Sequence, residues 1–302
     1  MIAVVGSNMV DLITYIDRMP APGETVEAPD FRMGCGGKGA NQAIAAARNG
    51  AEVLMVTRVG NDAFAKNTIA NFVENGISTK YILDTDATSG VAPIFVKASS
   101  QNSILIVKGA NDHLSPEDVA AARSDLAQCS LIVMQLEIPL KTVYYTLRLA
   151  EELGVPVLLN PAPANPELDL SQIVTAEYFV PNETELGLVT GEPVGSLEEI
   201  TSAAQKLVDE GIKNVIVTLG GRGVLLKTAD TELLLPAYKV AAVDTTGAGD
   251  AFIGCFAQSL DAGFSVVDSL KRASFYAADS VTKRGTQYSY AMGEDLEFPV
   301  LD

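Results

Sequence analysis

Two kinds of hydrophobic pattern alternate along most of the chain. Short, wholly apolar stretches are typical of buried strands, whereas apolar residues spaced three and four apart are typical of helices that cover a sheet. Strand-type stretches occur at 2–6, 53–56, 131–136, 155–159, 178–180, 214–219 and 224–227, and helix-type stretches at 63–75, 142–153, 197–209, 247–262 and 265–282. The alternation predicts an α/β fold with a mainly parallel central sheet and helices on both faces.

Two segments have a different character and predict a second, smaller sheet. Residues 12–35 contain β-prone stretches that are broken by prolines and glycines, which favours a small antiparallel sheet. The stretches 91–96 and 104–107, joined by a polar turn at 98–103, have the pattern of a hairpin. We interpret residues 1–302 as one domain, with a β lid formed approximately by 12–36 and 88–109.

Composition and charge narrow the class of protein. The net charge of −17 argues against nucleic acid or an anionic membrane as the main partner. The three cysteines are far apart in sequence and indicate reduced thiols in a cytoplasmic protein. His113 is the only histidine, which argues against a histidine triad or a multi-histidine metal site. We find no signal peptide and no apolar run long enough to span a membrane.

The stretch 243–252, with the sequence VDTTGAGDAF, is the strongest chemical signal. It predicts a strand end, a glycine turn and then a helix whose first N–H groups face an anion. Asp250 would repel a phosphate there unless it took a proton from the group that attacks the phosphate. This reading suggests phosphoryl transfer to a hydroxyl. The alternative is an ordinary strand–turn–helix joint in which Asp250 interacts with the helix dipole.

A second glycine-rich stretch, 34–41, precedes an alanine-rich helix and matches the G-x-G-x-x-G dinucleotide pattern. The residues before it make a poor buried strand, and Thr57 and Arg58, not an acid, follow the next strand. We therefore favour a different role, in which the glycines let a ligand approach the backbone while Lys38 and Asn41 contact it.

Three further carboxylates are candidates for the same site. Asn182 and Glu185 have the spacing of a helix capping box, and Glu185 is also placed to organise Mg²⁺ through water; both readings can hold at once. Asp11 and Glu137 each follow a predicted strand, at the edge of a sheet where α/β proteins bind ligands. Carboxylates there suit a polyol, because they accept hydrogen bonds from hydroxyls. The alternative for Glu137 is a solvated loop acid.

Taken together, 36–41, 181–185 and 244–250 resemble the ribokinase-like carbohydrate kinases in order and spacing over essentially the whole chain. The resemblance implies a parallel α/β sheet with a β lid over the sugar, a homodimer through the lid, and the use of ATP, Mg²⁺ and K⁺. Asp250 would then be the base for the sugar hydroxyl. The anion hole for the phosphoryl group would comprise Gly247, Ala248 and Gly249.

The resemblance also assigns binding roles. The sugar contacts would be Asp11, Gly37, Lys38, Asn41 and Glu137. The nucleotide contacts would be Asn182, Thr218, Gly220, Gly221, Gly223, Gly249 and Ser274. Glu185 would act on Mg²⁺. The K⁺ site, formed largely by main-chain oxygens, would comprise Asp244, Thr246, Ser280, Lys283, Gly285 and Ser289.

Met9 departs from the pattern of the ribokinases, which carry an asparagine at this position. A thioether donates no hydrogen bond, so a ribose hydroxyl buried against Met9 would lose a partner, at a cost of about 1–3 kcal/mol. We therefore expect 2-deoxy-D-ribose as the preferred substrate, phosphorylated at O5, as in a bacterial branch of the family that shares this methionine. The alternative is that Met9 merely packs and Asn8 supplies the missing amide.

Three other functions compete with this one. Within the family, the alternatives are a ribose kinase or a kinase of another sugar or nucleoside. Outside it, one is an NADP-dependent oxidoreductase that uses the glycines at 34–39 with Arg58. The other is a non-catalytic sugar-binding protein, against which the intact Asp250 and glycine turn argue.

Overall fold

The computed structural model describes residues 1–97 and 102–300. Its described part contains a nine-stranded main sheet with the order β13-β12-β11-β10-β9-β8-β1-β4-β5, and a four-stranded small sheet with the order β3-β2-β6-β7. The strands are β1 (Ile2–Val5), β2 (Met9–Ile16), β3 (Asp30–Gly36), β4 (Val53–Gly60), β5 (Ser78–Thr85), β6 (Val91–Lys97), β7 (Asn102–Ile104), β8 (Leu131–Met134), β9 (Val157–Leu159), β10 (Tyr178–Phe179), β11 (Asn214–Thr218), β12 (Val224–Lys227) and β13 (Glu232–Leu235).

The main sheet is parallel except at one edge, where β12 runs antiparallel to both of its neighbours, β11 and β13. Alternate residues of its central strand belong to separate cores, because strand side chains point to opposite faces. Ile2 and Val4 pack in the core formed with α1, α2, α8 and α9, and Ala3 and Val5 pack in the core formed with α3 to α7. The helices are α1 (Lys38–Arg48), α2 (Ala63–Glu74), α3 (Pro116–Ala121), α4 (Arg123–Leu126), α5 (Leu140–Leu153), α6 (Glu183–Thr190), α7 (Leu197–Asp209), α8 (Ala248–Asp261) and α9 (Val266–Ser280). The predicted fold class is confirmed.

The small sheet contains the two antiparallel pairings that the sequence predicted. β2 and β3, largely within the segment 12–35, are antiparallel, as are β6 and β7 of the hairpin. The two pairs meet through β2 and β6, which run parallel because a long crossover through the main sheet joins them; this pairing was not predicted. β7 starts two residues before the predicted strand at 104–107 and overlaps it only at residue 104. Part of the predicted turn at 98–103 lies outside the described residues.

Two strand predictions near the site also need correction. Asp11 does not end the first strand of the main sheet: β1 ends at Val5, and Asp11 lies within β2 of the small sheet, which starts three residues before the predicted boundary. No strand leads into the turn at Gly247, since residues 236–247 form none. The hydrophobic Val243 suggested the end of a buried strand, but about half of this residue is exposed, so it packs in no sheet.

No helix in the ranges 1–97 and 102–300 combines the length and apolarity that a bilayer crossing requires.

Candidate active site

Helix α8 begins at a glycine turn that fixes the position of Asp250. Gly247 is the N-cap of this helix, with φ +76°, a conformation that glycine adopts without strain. A Cβ atom there would approach Thr286 Cγ2 to 2.4 Å, so the 285–290 loop packs directly against the turn. The buried carboxyl group of Asp250 lies in the first turn of α8, next to the N–H groups that the helix leaves unpaired.

Close packing of α1 against α8 brings two amides to Asp250. A Cβ atom on Gly254 would lie 2.5 Å from both Ala45 Cβ and the carbonyl oxygen of Gln42, so only glycine permits this approach. One turn earlier on each helix, Asn41 Nδ2 donates to Asp250 Oδ2 and Gln42 Nε2 donates to Asp250 Oδ1, both over 2.9 Å. Both carboxylate oxygens of Asp250 are thereby held.

A group of polar side chains that we call the polar cluster lies beside Asp250; it consists of Ser7, Asp11, Lys38 and Glu137. Glu137 Oε2 accepts hydrogen bonds from Ser7 Oγ over 2.6 Å and from the Lys38 backbone N–H over 2.8 Å. Glu137 is buried, which excludes its alternative interpretation as a solvated loop acid. Burial raises its pKa, against the opposing effects of Lys38 and of these hydrogen bonds.

Electrostatics in the polar cluster are dominated by carboxylates. Burial, followed by the charges of Glu137 and Asp250, raises the pKa of Asp11 to about 7. Burial by itself would lower the pKa of Lys38, but attraction to Asp250, Glu137 and Glu185 raises it above its usual value. The Lys38 ammonium is therefore a positive charge among acids, and Asp11 is a carboxyl group that changes charge near neutral pH.

Met9 forms an apolar wall beside Asp11. The two residues lie on one face of β2, and Met9, only 2% exposed, packs with Ala92 and Ile94 of β6. The amide of Asn8 is engaged elsewhere, since its Nδ2 donates over 2.8 Å to both Thr57 Oγ1 and the Arg58 carbonyl. Asn8 therefore does not supply an amide in place of the one that Met9 lacks.

A large cleft of about 800 Å³ opens on the other side of the α8 N-terminus. The seven residues predicted to contact a nucleotide all line it, namely Asn182, Thr218, Gly220, Gly221, Gly223, Gly249 and Ser274, as does Ala248 of the turn. The apolar part of the lining includes Val240, Phe252 and Ala277. The cleft thus joins a helix N-terminus, which suits phosphates, to apolar surface, which suits a base.

Glu185 forms the predicted capping box with Asn182. Asn182 Oδ1 accepts from the Glu185 N–H, and Glu185 Oε2 accepts from the Asn182 N–H, each over 2.8 Å. Burial raises the pKa of Glu185 in spite of these bonds. Among the described residues no three His, Cys, Asp or Glu side chains form a metal cluster. A single carboxylate fits Mg²⁺, which proteins often bind through one or two carboxylates, water and substrate phosphates.

The residues assigned to K⁺ lie in two segments, 244–246 and 280–289. Asp244 joins them, because its carboxylate accepts from the N–H groups of Thr246 over 3.0 Å and Gly285 over 2.9 Å. Burial would raise the pKa of Asp244, but these hydrogen bonds lower it. The side chains of Ser280, Lys283 and Ser289 instead bond to groups three or four residues earlier in the chain, to Ala277, Asp279 and Thr286 respectively. A cation here would therefore depend largely on main-chain oxygens, and the K⁺ site that the family resemblance implies stays a prediction.

The dinucleotide alternative has no support in this geometry. Gly34 and Gly36 belong to β3 of the small sheet, so the glycine turn does not follow a strand of the main sheet. Arg58 is the proposed partner of a 2′-phosphate. Its guanidinium group instead forms a bidentate pair with the Asp118 carboxylate, with Nε–Oδ2 and Nη2–Oδ1 distances of 2.7 Å.

This chain is similar to known carbohydrate kinases along nearly its whole length. The family model described as "pfkB family carbohydrate kinase" matches residues 1–291. This chain belongs to the pfkB family of carbohydrate kinases. The deoxyribokinase of Salmonella typhi is 57% identical over 290 residues, which cover 96% of this chain and 95% of that protein. The mouse ribokinase is 41% identical over 98% of this chain and 93% of its own.

Solved structures give the same result. A ribokinase from Thermotoga maritima has a TM-score of 0.89 at 36% identity, covering 97% of both chains. An Arabidopsis thaliana ribokinase, solved with ribose and ATP, has a TM-score of 0.88 at 31% identity, covering 97% of this chain and 96% of its own. The chain is a sugar kinase, and the interpretation as a non-catalytic binding protein is wrong.

Five polar residues of the kinase site escaped the sequence analysis: Ser7, Gln42, Gln135, Asn160 and Gln287. Gln42 adjoins Asn41 in a recognised motif, so its position near the start of α1 was a usable signal. Asn160 and Gln135 each follow a strand of the main sheet, and that placement also pointed to the ligand edge. Gln287 lies in a loop without a motif, and nothing near it in sequence indicated a role.

Proposed function

We propose that this kinase transfers the γ-phosphoryl group of ATP to O5 of 2-deoxy-D-ribose. The observation that carries the proposal is the position of Asp250. It lies at the N-terminus of α8, between the large cleft and the polar cluster. Its neighbour Gly249 lines the cleft, and Asp11 and Glu137 of the cluster interact with it electrostatically. A nucleotide in the cleft and a sugar against the cluster would meet at this carboxylate.

The residues present can perform each part of an in-line transfer. Asp250 takes the proton of the sugar O5 as that oxygen bonds to the γ-phosphorus, and the bond from phosphorus to the ADP oxygen breaks. The N–H groups of Gly247, Ala248 and Gly249 stabilise the phosphoryl oxygens at the helix N-terminus. Glu185 with Asn182 would hold Mg²⁺ through water, and the ion would supply positive charge to the phosphates.

The sugar is held by groups that match its hydroxyls. Asp11 and Glu137 accept hydrogen bonds, Lys38 and Asn41 donate them, and Gly37 lets the ring approach the backbone. Met9 faces the carbon that carries no hydroxyl in deoxyribose. The 57% identity to a deoxyribokinase supports this substrate over ribose. An apolar wall rejects an added hydroxyl by about 100-fold, so slow use of ribose is expected.

A monovalent cation and a second subunit complete the proposal. K⁺ would bind between the segments 244–246 and 280–289, where the Asp244 carboxylate joins the two. The small sheet would form a homodimer through its outer face, opposite Asp11, where Phe31 is 56% and Met33 42% exposed. A cytoplasmic location stays a prediction from the cysteines.

The test is ADP release by the wild type and by Asp250→Asn, with ATP, Mg²⁺ and K⁺, on deoxyribose and on ribose. We expect a higher kcat/KM for deoxyribose and loss of turnover in the variant, with sugar binding retained in calorimetric titration. Near-normal turnover of Asp250→Asn would contradict the role of the base. Equal or better use of ribose would contradict the substrate but leave the kinase site intact.

A further inference from the structure

Two lines of amide side chains converge on Asp250 from opposite sides. On one side Gln135 Nε2 donates over 2.6 Å to Gln42 Oε1, and Gln42 Nε2 donates to Asp250 Oδ1. On the other side Gln287 Nε2 donates over 2.9 Å to Asn41 Oδ1, and Asn41 Nδ2 donates to Asp250 Oδ2. All four amide residues are buried. Each carboxylate oxygen is thus bound by an amide whose far end is bound by a second amide.

We propose that Gln42 and Gln287 are positioning residues that fix the orientation of the Asp250 carboxylate for proton transfer. The inference rests on the proposed role of Asp250 as the base. Gln42 acts on Asp250 directly, whereas Gln287 acts through Asn41.

The direction of the hydrogen bonds explains why second amides are needed. A carboxylate only accepts, so an amide beside it must present its NH₂ group, not its carbonyl group. Gln135 and Gln287 donate to the carbonyl ends of Gln42 and Asn41. A flip of Asn41 would lose two hydrogen bonds, and a flip of Gln42 would lose three, since its Nε2 also donates to Asn160 Oδ1 over 3.3 Å; either flip would put two acceptors in contact. The outer amides therefore determine which way the inner ones point.

Gln287 is itself firmly placed. Its Oε1 accepts from Asn71 Nδ2 of α2 over 2.8 Å, and its backbone carbonyl accepts from Arg48 of α1. The loop that carries it also holds Tyr290, whose hydroxyl bonds to the Gly247 carbonyl over 2.8 Å. One loop thus supports both the base and the turn that would bind the phosphoryl group, and this arrangement keeps the two in register.

The amides act among charges that also affect Asp250. The titratable groups that interact with it are Asp11 of β2, Lys38 of α1, Glu137 after β8, Glu185 of α6 and the phenol of Tyr290. All but Lys38 are acids. The two N–H donors of Asn41 and Gln42 therefore hold the Asp250 carboxylate in place among neighbours that are mostly acids.

The experiment measures kcat, KM and, at saturating sugar, the pH profile of kcat for Gln42→Met, Gln42→Glu and Gln287→Met. We expect kcat to fall about 10- to 100-fold in each, because a misplaced base loses its alignment, while KM for ATP changes less than threefold. In Gln42→Glu a second carboxylate faces Asp250. The acid limb of its profile should therefore shift to higher pH by at least one unit relative to Gln42→Met.

A matched control is Thr146→Val, which removes a buried hydrogen bond of 2.8 Å in α5 and should leave kcat and the profile unchanged. If Gln42→Met does not fold, Gln287→Met tests the same carboxylate from its other side. Wild-type kcat and pH profiles in the amide variants, with Asp250→Asn inactive, would overturn the positioning role and leave the base standing. Turnover by Asp250→Asn would overturn both.

Discussion

The hydroxyl of Tyr290 donates a hydrogen bond of 2.8 Å to the carbonyl oxygen of Gly247. This contact ties the loop after α9 to the turn that starts α8. The same carbonyl accepts from the Ala251 N–H over 2.9 Å, so it serves as both a helix bond and a loop anchor. A turn that must present N–H groups to a phosphoryl oxygen is thus braced from outside its own helix.

Tyr290→Phe should loosen this turn while keeping the packed ring. We expect the free energy of unfolding to fall by about 1 kcal/mol, since the carbonyl keeps one partner, and kcat to fall about 3- to 10-fold. Tyr276→Phe is the matched control, because its hydroxyl makes an equivalent 2.8 Å bond to the carbonyl of Ala291, which follows Tyr290, and not to the turn itself. It should cost similar stability without changing kcat. Equal kcat losses in both variants would contradict the bracing role.

The pKa of Asp11, raised to about 7, predicts a pH-dependent KM for the sugar. Below pH 7 the carboxyl group is protonated, so one of its oxygens becomes a donor and the group loses the negative charge that strengthens its bonds to sugar hydroxyls; KM should therefore be about tenfold higher at pH 6 than at pH 8. Initial rates over a pH series measure this. Asp11→Asn should have a flat KM over the same range, and a sloping one would assign the titration to another group.

The same shift predicts a stability effect without ligand. The folded state holds the Asp11 proton up to about pH 7 while the unfolded state releases it near 3.8, so its ionisation costs stability as pH rises between these values. The gain in unfolding free energy from Asp11→Asn should therefore grow by roughly 2–3 kcal/mol between pH 5 and pH 8. Urea unfolding of both proteins measures it. A constant gap would show that the pKa of Asp11 is not raised.

Met9→Asn should change the preference between sugars. An amide beside Asp11 gives the extra ribose hydroxyl a partner, which is expected to raise kcat/KM for ribose relative to deoxyribose about tenfold. Competition between the two sugars measures the ratio directly. Met9→Leu keeps the wall apolar and serves as the control, with an unchanged ratio. An unchanged ratio in Met9→Asn would show that Met9 does not face the 2-position.

Gly254→Ala should separate α1 from α8. The new methyl group meets the Gln42 carbonyl and Ala45 Cβ at 2.5 Å, so the helices must shift, at a cost of about 1–3 kcal/mol in unfolding free energy. Because Asn41 and Gln42 reach Asp250 across this contact, kcat should fall as well. Gly195→Ala, where the nearest atom is the mobile end of Glu199, is the control for both measurements. Full activity with lowered stability would show that the close packing of α1 against α8 is not needed for catalysis.

The sequence by itself determined the elements that depend on local pattern. Helix α7 and strand β12 have the predicted limits, and the Asn182–Glu185 capping box forms as its spacing indicated. These features follow from periodicity and from bonds between residues three or four apart, so neighbouring residues suffice to specify them. The glycine turn before Asp250 was predictable for the same reason, because a local glycine pattern suffices to indicate the start of a helix.

Only the tertiary structure decided what surrounds Asp250. Gln287 reaches Asn41 across 246 residues of sequence, and Gln42 reaches Asp250 across 208, through helix contacts that no local pattern encodes. The parallel pairing of β2 with β6, and with it the wall that Met9 forms beside Asp11, also depends on a long crossover. The raised pKa of Asp11 has the same origin, because burial and the charges of Glu137 and Asp250 exist only once the distant segments have packed together.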